Sequence, residues 1–194
     1  MSNDQVQRRQ GERGLTRRTL MGAGLVSAGL YGCGRAIRSA GVVNQRLAEL
    51  GIILPEPTAA VATYTPFRVV GDVVYVAGQG PSLAAGAKVF GKLGSDLTVE
   101  EGAHAARLAA IGILSQAKVA CGGDLDRVVQ WVRLTGYVNS TDDFIDQPRV
   151  INGASDLLVD VFGEKGLHAR AAVGVNTLPF NIAVEIEATF QIRV

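Results

Sequence analysis

Ile182-Ala183-Val184-Glu185-Ile186-Glu187-Ala188-Thr189-Phe190-Gln191-Ile192-Arg193-Val194 closes the chain with its cleanest alternation. Val184, Ile186, Ala188, Phe190 and Ile192 fall on one side of a period of two; Glu185, Glu187, Thr189, Gln191 and Arg193 fall on the other. The pattern predicts a strand with one packed face. Working backward, Ala169–Val175 reads as a strand, and Val150–Phe162, stopped by Gly163, as an amphipathic helix. Residues 128–138 alternate more loosely and read as a strand containing Trp131. Thr98-Val99-Glu100-Glu101 is a capping box, with the Thr hydroxyl free to take the Glu101 amide while Glu101 reaches back. It opens a helix with Ala105, Leu108, Ala109, Gly112, Ile113 and Gln116 at helical spacing, ending at Gly122-Gly123. β-branched residues between Val69 and Ala77 flank Gly71-Asp72, a hairpin signal. Lys88–Lys92 reads as an edge strand, and Asn44–Leu50 as a short helix before Pro55 and Pro57.

The order β-β-α-β-α-β-β defines an α+β chain without internal repeats. Two helices cannot cover both faces of such a sheet, so they are expected on one. The other face is then solvated or covered in an oligomer, and Val73, Tyr75 and Trp131 are assigned to it, which favours the oligomer. Residues 1–40 separate as a leader, 41–58 as a lead-in and 59–194 as the folded domain.

The chain has 194 residues, 47% hydrophobic and 19% charged, which excludes a disordered or collagen-like polymer and suits one domain. Residues 1–40 carry seven Arg against Asp4 and Glu12, whereas the remaining 154 carry 12 Lys/Arg against 16 Asp/Glu. The folded part is therefore mildly acidic, which argues against nucleic acid as its partner. Two Cys and two His exclude a disulfide framework and a zinc ribbon, so no metal is expected.

Thr16-Arg17-Arg18-Thr19-Leu20-Met21 opens an uncharged stretch running to Gly34. An Arg pair before an apolar Gly/Ala-rich segment is the build of a twin-arginine export signal, with Leu20 where Phe is usual. As a helix that stretch would reach about 24 Å, short of the roughly 30 Å hydrocarbon core. Export to the periplasm or a membrane-anchored form is the expectation; a basic tail on a cytoplasmic protein is the alternative. Leu30-Tyr31-Gly32-Cys33 resembles a lipoprotein cleavage box, which would make Cys33 a lipid anchor, although Tyr31 is bulky for its slot. Cys121, ending an apolar helix, reads as a small buried hydrophobe.

Gly86-Ala87-Lys88-Val89-Phe90-Gly91-Lys92-Leu93 is one residue from a phosphate-binding loop, but Leu93 has no hydroxyl for Mg²⁺ and no helix opens there. Gly78-Gln79-Gly80 lacks the third glycine of a dinucleotide fingerprint. Asn139-Ser140-Thr141 matches a glycosylation sequon by three residues only. His104 reads as a surface or partly buried residue, and two His assemble no Ser-His-Asp triad.

His168-Ala169-Arg170-Ala171-Ala172-Val173-Gly174-Val175, then Leu178-Pro179, then Val184-Glu185-Ile186-Glu187-Ala188, resembles the signature of the Rid/YjgF family of small deaminases. Tyr64, Gly78-Gln79 and Asn152 follow the family order upstream, so the resemblance spans residues 44–194. Asn152-Gly153-Ala154-Ser155-Asp156-Leu157-Leu158 and the Leu50–Pro57 lead-in look like a longer, less characterised branch. The resemblance implies a chorismate-mutase-like fold with a mixed sheet, assembled as a homotrimer with clefts between subunits. It also implies cofactor-free hydrolysis of 2-imino or 2-enamino acids to 2-keto acids and ammonia.

In that frame Arg170 is the expected carboxylate clamp, because a guanidinium grips a carboxylate at two points. Glu185 is the expected group that orients or deprotonates the attacking water. Tyr64 and Asn152 would line the cleft, and the Gly78 and Ala172 backbones would offer hydrogen bonds. Plainer roles stay open: Arg170 as an interface ion pair with Glu185 or Glu187, Glu185 as an exposed strand residue, Tyr64 as an interface cap and Asn152 as a helix N-cap. His168 reads as a solvated neighbour of Arg170. The family often carries Cys where Ala172 stands, which is compatible with a backbone role. A non-catalytic trimer that binds small carboxylates and an endoribonuclease are the competing functions.

Overall fold

Gly71, at φ +61°, lets the chain reverse between β1 (Phe67–Val70) and β2 (Val73–Gln79), which pair antiparallel. The structure is a computed structural model that describes residues 41–60, 62–82 and 87–194. The Arg17-Arg18 leader and Cys33 lie outside the described residues. Among those described, no helix is long and apolar enough to cross a membrane.

The capping box forms as expected. Glu101 N–H donates to Thr98 Oγ1 at 3.2 Å and Thr98 N–H donates to Glu101 Oε2 at 2.9 Å, opening α2 at Val99–Ala120. β3 (Val128–Asn139), α3 (Gln147–Phe162), β4 (Ala169–Val175) and β5 (Val184–Ile192) follow. An earlier helix, α1 (Val42–Glu49), buries Val43 and Leu47, and Arg46 Nε donates to the Asp160 carbonyl at 2.8 Å. The five strands lie in the order β1-β2-β5-β3-β4; β3 and β4 are parallel and the other pairs antiparallel, so the sheet is mixed. A parallel pair needs a long crossover, which α3 supplies.

α2 and α3 cover one face. Leu134, Val138, Val184, Ile186 and Phe190 meet Ala105, Ala109 and Ile113 of α2 and Ile151, Leu157 and Leu158 of α3 in a single core. Small residues bring the helices together: a β-carbon on Gly153 would stand 1.9 Å from the Ala103 carbonyl oxygen, so only glycine fits that crossing. The opposite face carries Val70, Tyr75 and Val173, all exposed, among Thr135, Tyr137, Glu185, Glu187 and Thr189.

Three local expectations need correction. Trp131 belongs to the covered face, not the open one. Irregularities in the β3–β5 register on either side of it break the period of two, and its ring packs 4.8 Å from Phe190 and 5.6 Å from Phe162. Lys88–Lys92 forms no strand; Phe90 makes one isolated bridge to Ile182, and the Lys92 ammonium instead donates to Asn139 Oδ1 at 3.0 Å. α3 begins at Gln147 rather than Val150, because Pro148 in the first turn removes only an N–H that would have had no helical partner.

Candidate active site

Arg170 stands on β4, the edge of the sheet, opposite buried Leu134 of β3. It therefore shares the face that α3 covers, at the rim of that helix. Its Nη1 donates to Asn152 Oδ1 at 2.9 Å and to Ser155 Oγ at 3.0 Å. Asn152 and Ser155 are three residues apart on α3, which puts both on one side of the helix. Among the described residues no carboxylate pairs with Arg170. Nη1 is thus held by two neutral acceptors, while Nε and Nη2, the side-on fork that suits a carboxylate, keep their donors.

Behind Ser155 lies His168. Its Nδ1 is 2.7 Å from the Gly166 carbonyl and its Nε2 is 3.1 Å from Ser155 Oγ. A carbonyl only accepts, so Nδ1 carries the proton in the neutral ring and Nε2 accepts the Ser155 hydroxyl. Burial, with the Arg170 charge adding to it, holds the imidazole below its ordinary pKa, against the Gly166 bond. His168 is half-buried and precedes β4, so it is not the solvated strand neighbour that sequence suggests. Ala172, two residues beyond Arg170 on the same face, packs against the core. As β4 is an edge strand, one side of its backbone is open.

Glu185 belongs to a second locality. It opposes Tyr137 in the β3–β5 ladder, on the face away from α2 and α3, while its neighbours Val184 and Ile186 are fully buried in the core. The β2–β5 register slips between Val76 and Gln79, which presses Gly78 onto the Glu185 side chain. A β-carbon on Gly78 would lie 1.9 Å from Glu185 Oε1, so glycine is needed for the carboxylate to occupy its place. Burial first, then the charge of Glu187, raise the Glu185 pKa above the ordinary carboxylate value.

A cavity of about 360 Å³ gathers Tyr64, Gly78 and Glu185. It continues past the β2 bulge to Gly112 and Ser115 of α2. Pro179 and Phe180 form another wall, in a turn where Phe180 and Asn181 both take left-handed φ, 56° and 57°. Asn139, fully buried, braces that turn by donating to Asn181 Oδ1 at 3.1 Å and to the Ile182 carbonyl at 3.2 Å.

The six residues singled out from sequence thus fall into two groups. Tyr64, Gly78 and Glu185 share the cavity; Arg170, Asn152 and Ala172 share the β4–α3 rim. Asn152 is no N-cap: α3 starts at Gln147 after Asp146, and Asn152 lies in its second turn, occupied by Arg170. Sequence alone passes over Ser155 and gives His168 only as a solvated neighbour of Arg170. The spacing of Asn152 and Ser155 on α3 was the signal available for Ser155.

A two-helix layer on a mixed five-stranded sheet is the architecture of chorismate-mutase-like proteins. Residues 44–188 match the family described as "YjgF/chorismate_mutase-like, putative endoribonuclease". The chain belongs to this Rid/YjgF family. It is 44% identical over 159 residues to Protein TCP17 of Trypanosoma cruzi, covering 81% of this chain and 99% of that one. A crystal structure of Atu1372 from Agrobacterium tumefaciens, of unknown function, matches with 45% identity and a TM-score of 0.73 over 78% of this chain and 93% of that one. A structure from Shewanella oneidensis, titled a "putative endoribonuclease", matches with 37% identity and a TM-score of 0.74 over 78% of this chain and 100% of that one.

Proposed function

We propose that this protein hydrolyses 2-imino and 2-enamino acids to 2-keto acids and ammonia, in a cleft completed when copies assemble as a homotrimer. The observation that carries the reading is Arg170: fixed at Nη1 by Asn152 and Ser155, paired with no carboxylate among the described residues, and presenting Nε and Nη2 at an open edge.

The chemistry follows from the groups. Arg170 holds the substrate carboxylate, which fixes the adjacent C=N carbon. An enamine first takes a proton at carbon and gives one up at nitrogen to become the imine. Water then attacks C2; its proton passes to Glu185 while the nitrogen takes up a proton, giving a carbinolamine. Collapse of that adduct forms the C=O bond, breaks the C–N bond and releases ammonia. A carboxylate whose basicity is raised by burial suits this proton transfer better than an ordinary one. Tyr64 lines the Glu185 cavity, and the Gly78 and Ala172 backbones offer donors or acceptors for the nitrogen or carboxylate. No metal or organic cofactor takes part in this reading, and the acidic charge of residues 41–194 speaks against the endoribonuclease alternative. We also propose that residues 1–40 direct twin-arginine export, with Cys33 as a candidate lipid anchor; subcellular fractionation with N-terminal sequencing tests this, and a cytosolic protein with an intact N-terminus overturns it.

The test of the reaction is keto-acid release from a 2-imino acid generated in situ by an amino-acid oxidase, comparing the full chain with Arg170→Ala and Arg170→Lys. Hydrolysis well above the spontaneous rate, lost in both variants, supports the reading. A folded protein giving no acceleration with any of several imino acids leaves the carboxylate-binding alternative in its place.

A further inference from the structure

Arg170 does not stand alone at the β4–α3 rim. A continuous line of hydrogen bonds runs from the Gly166 carbonyl through His168 and Ser155 to its guanidinium. The direction of each bond is determined. Gly166 accepts from Nδ1, so the neutral ring has only a lone pair at Nε2. The Ser155 proton is thereby committed to His168, and Ser155 Oγ meets Arg170 as an acceptor. With Asn152 Oδ1 taking the other Nη1 proton, the guanidinium plane is pinned at two points and its side-on fork is left for a ligand.

We infer that Ser155 and His168 are positioning residues of the Arg170 carboxylate clamp, and that protonation of His168 tightens it. This rests on the clamp role proposed above for Arg170 and extends it to two residues that role does not include.

Protonated His168 turns Nε2 into a donor. Ser155 Oγ has two lone pairs, so it accepts from Nε2 and from Nη1 together and the pinning survives. What changes is charge: Nε2 and Nη1 are no more than about 6 Å apart through Ser155, so a second cation stands behind the first. Without a ligand the two repel, in keeping with the way the Arg170 charge opposes protonation of the ring. A bound carboxylate removes that opposition, and by reciprocity a protonated ring favours the carboxylate. The other charged groups on the elements around the imidazole are Arg149, Asp156 and Asp160 of α3, Glu164 and Lys165 of the Gly163–Gly166 turn, and Arg133 opposite Ala169; Arg170 is the one whose charge acts on the ring appreciably.

The experiment is calorimetric titration of the full chain with 2-oxobutanoate, a stable keto acid, from about pH 8 down to about pH 5. It is done in a Glu185→Gln background, so that the carboxylate whose pKa burial raises is silent. Ser155→Ala should weaken binding about tenfold, and Ser155→Thr, which keeps the hydroxyl, should restore most of it. Affinity with His168 intact should rise about threefold across the acid range. His168→Gln, which offers Ser155 an acceptor but cannot titrate, should remove that slope. Unchanged affinity in Ser155→Ala, or a full slope in His168→Gln, overturns the inference. A different failure marks the underlying reading: if the keto acid does not bind, or binds equally to Arg170→Lys, the clamp itself is refuted.

Discussion

Arg170 and Glu185 project from opposite faces of one sheet. Arg170 opposes Leu134 and Glu185 opposes Tyr137, three rows along β3, and that strand lies between theirs. Two strand spacings and three residue steps put their Cα atoms about 14 Å apart. One copy of the chain therefore cannot bring the guanidinium and the carboxylate to a single small imino acid.

If the reaction uses both, they come from different copies. Arg170→Ala and Glu185→Gln proteins, each inactive alone, should recover activity when unfolded and refolded together. Random mixing in a cyclic trimer leaves about a quarter of the clefts with both groups intact. Recovery to that level of the wild-type rate in the keto-acid assay is the expected result; none at all would mean that both groups act from one chain.

Gly78→Ala places a methyl group where the Glu185 carboxylate now sits. The carboxylate is the mobile end of a side chain, so the fold should survive while the acid is displaced. We expect a near-normal melting temperature with turnover reduced on the order of a hundredfold, the scale of losing a general base. Wild-type turnover in Gly78→Ala would detach Glu185 from the chemistry.

Glu185 also leaves a mark on stability. Its pKa is raised in the folded state, so the native protein binds the extra proton and stability falls as pH rises from the unfolded value through the folded one. Above that window the buried charge is a standing cost. Glu185→Gln should raise the melting temperature at neutral pH, and the gain should vanish below about pH 4. Thermal scans across pH check both the sign and the window.

Gly153→Ala should behave differently from Gly78→Ala, because its added methyl meets the Ala103 backbone rather than a side chain. α2 and α3 must then separate, opening the core they share. A loss of about 2–4 kcal/mol in denaturant unfolding is the expected scale. A neutral substitution would show that the helix crossing has slack.

Much of the architecture was legible because the period of the apolar residues reports local geometry. The alternation from Val184 to Ile192, the Thr98–Glu101 capping box and the Gly71 turn all record interactions within a few residues of the chain. Trp131 was misassigned for the same reason: register irregularities are set by what the strand pairs with, and a period of two cannot foresee them.

The residue types of the candidate site were equally open to inspection. Arg170, Glu185, Tyr64, Gly78, Asn152 and Ala172 could be chosen from chemistry and family resemblance, and the chain itself dictates which functional groups it owns. Their grouping was not so determined. Ser155 reaches Arg170 from 15 residues away and Asn152 from 18, across the helix-to-strand crossover. Gly78 meets Glu185 only because β5 returns to lie against β2. Local sequence decides which face of its own strand a side chain occupies; which strands become neighbours, and so which charges share a site, is decided when burial of one common core selects a single arrangement of all five.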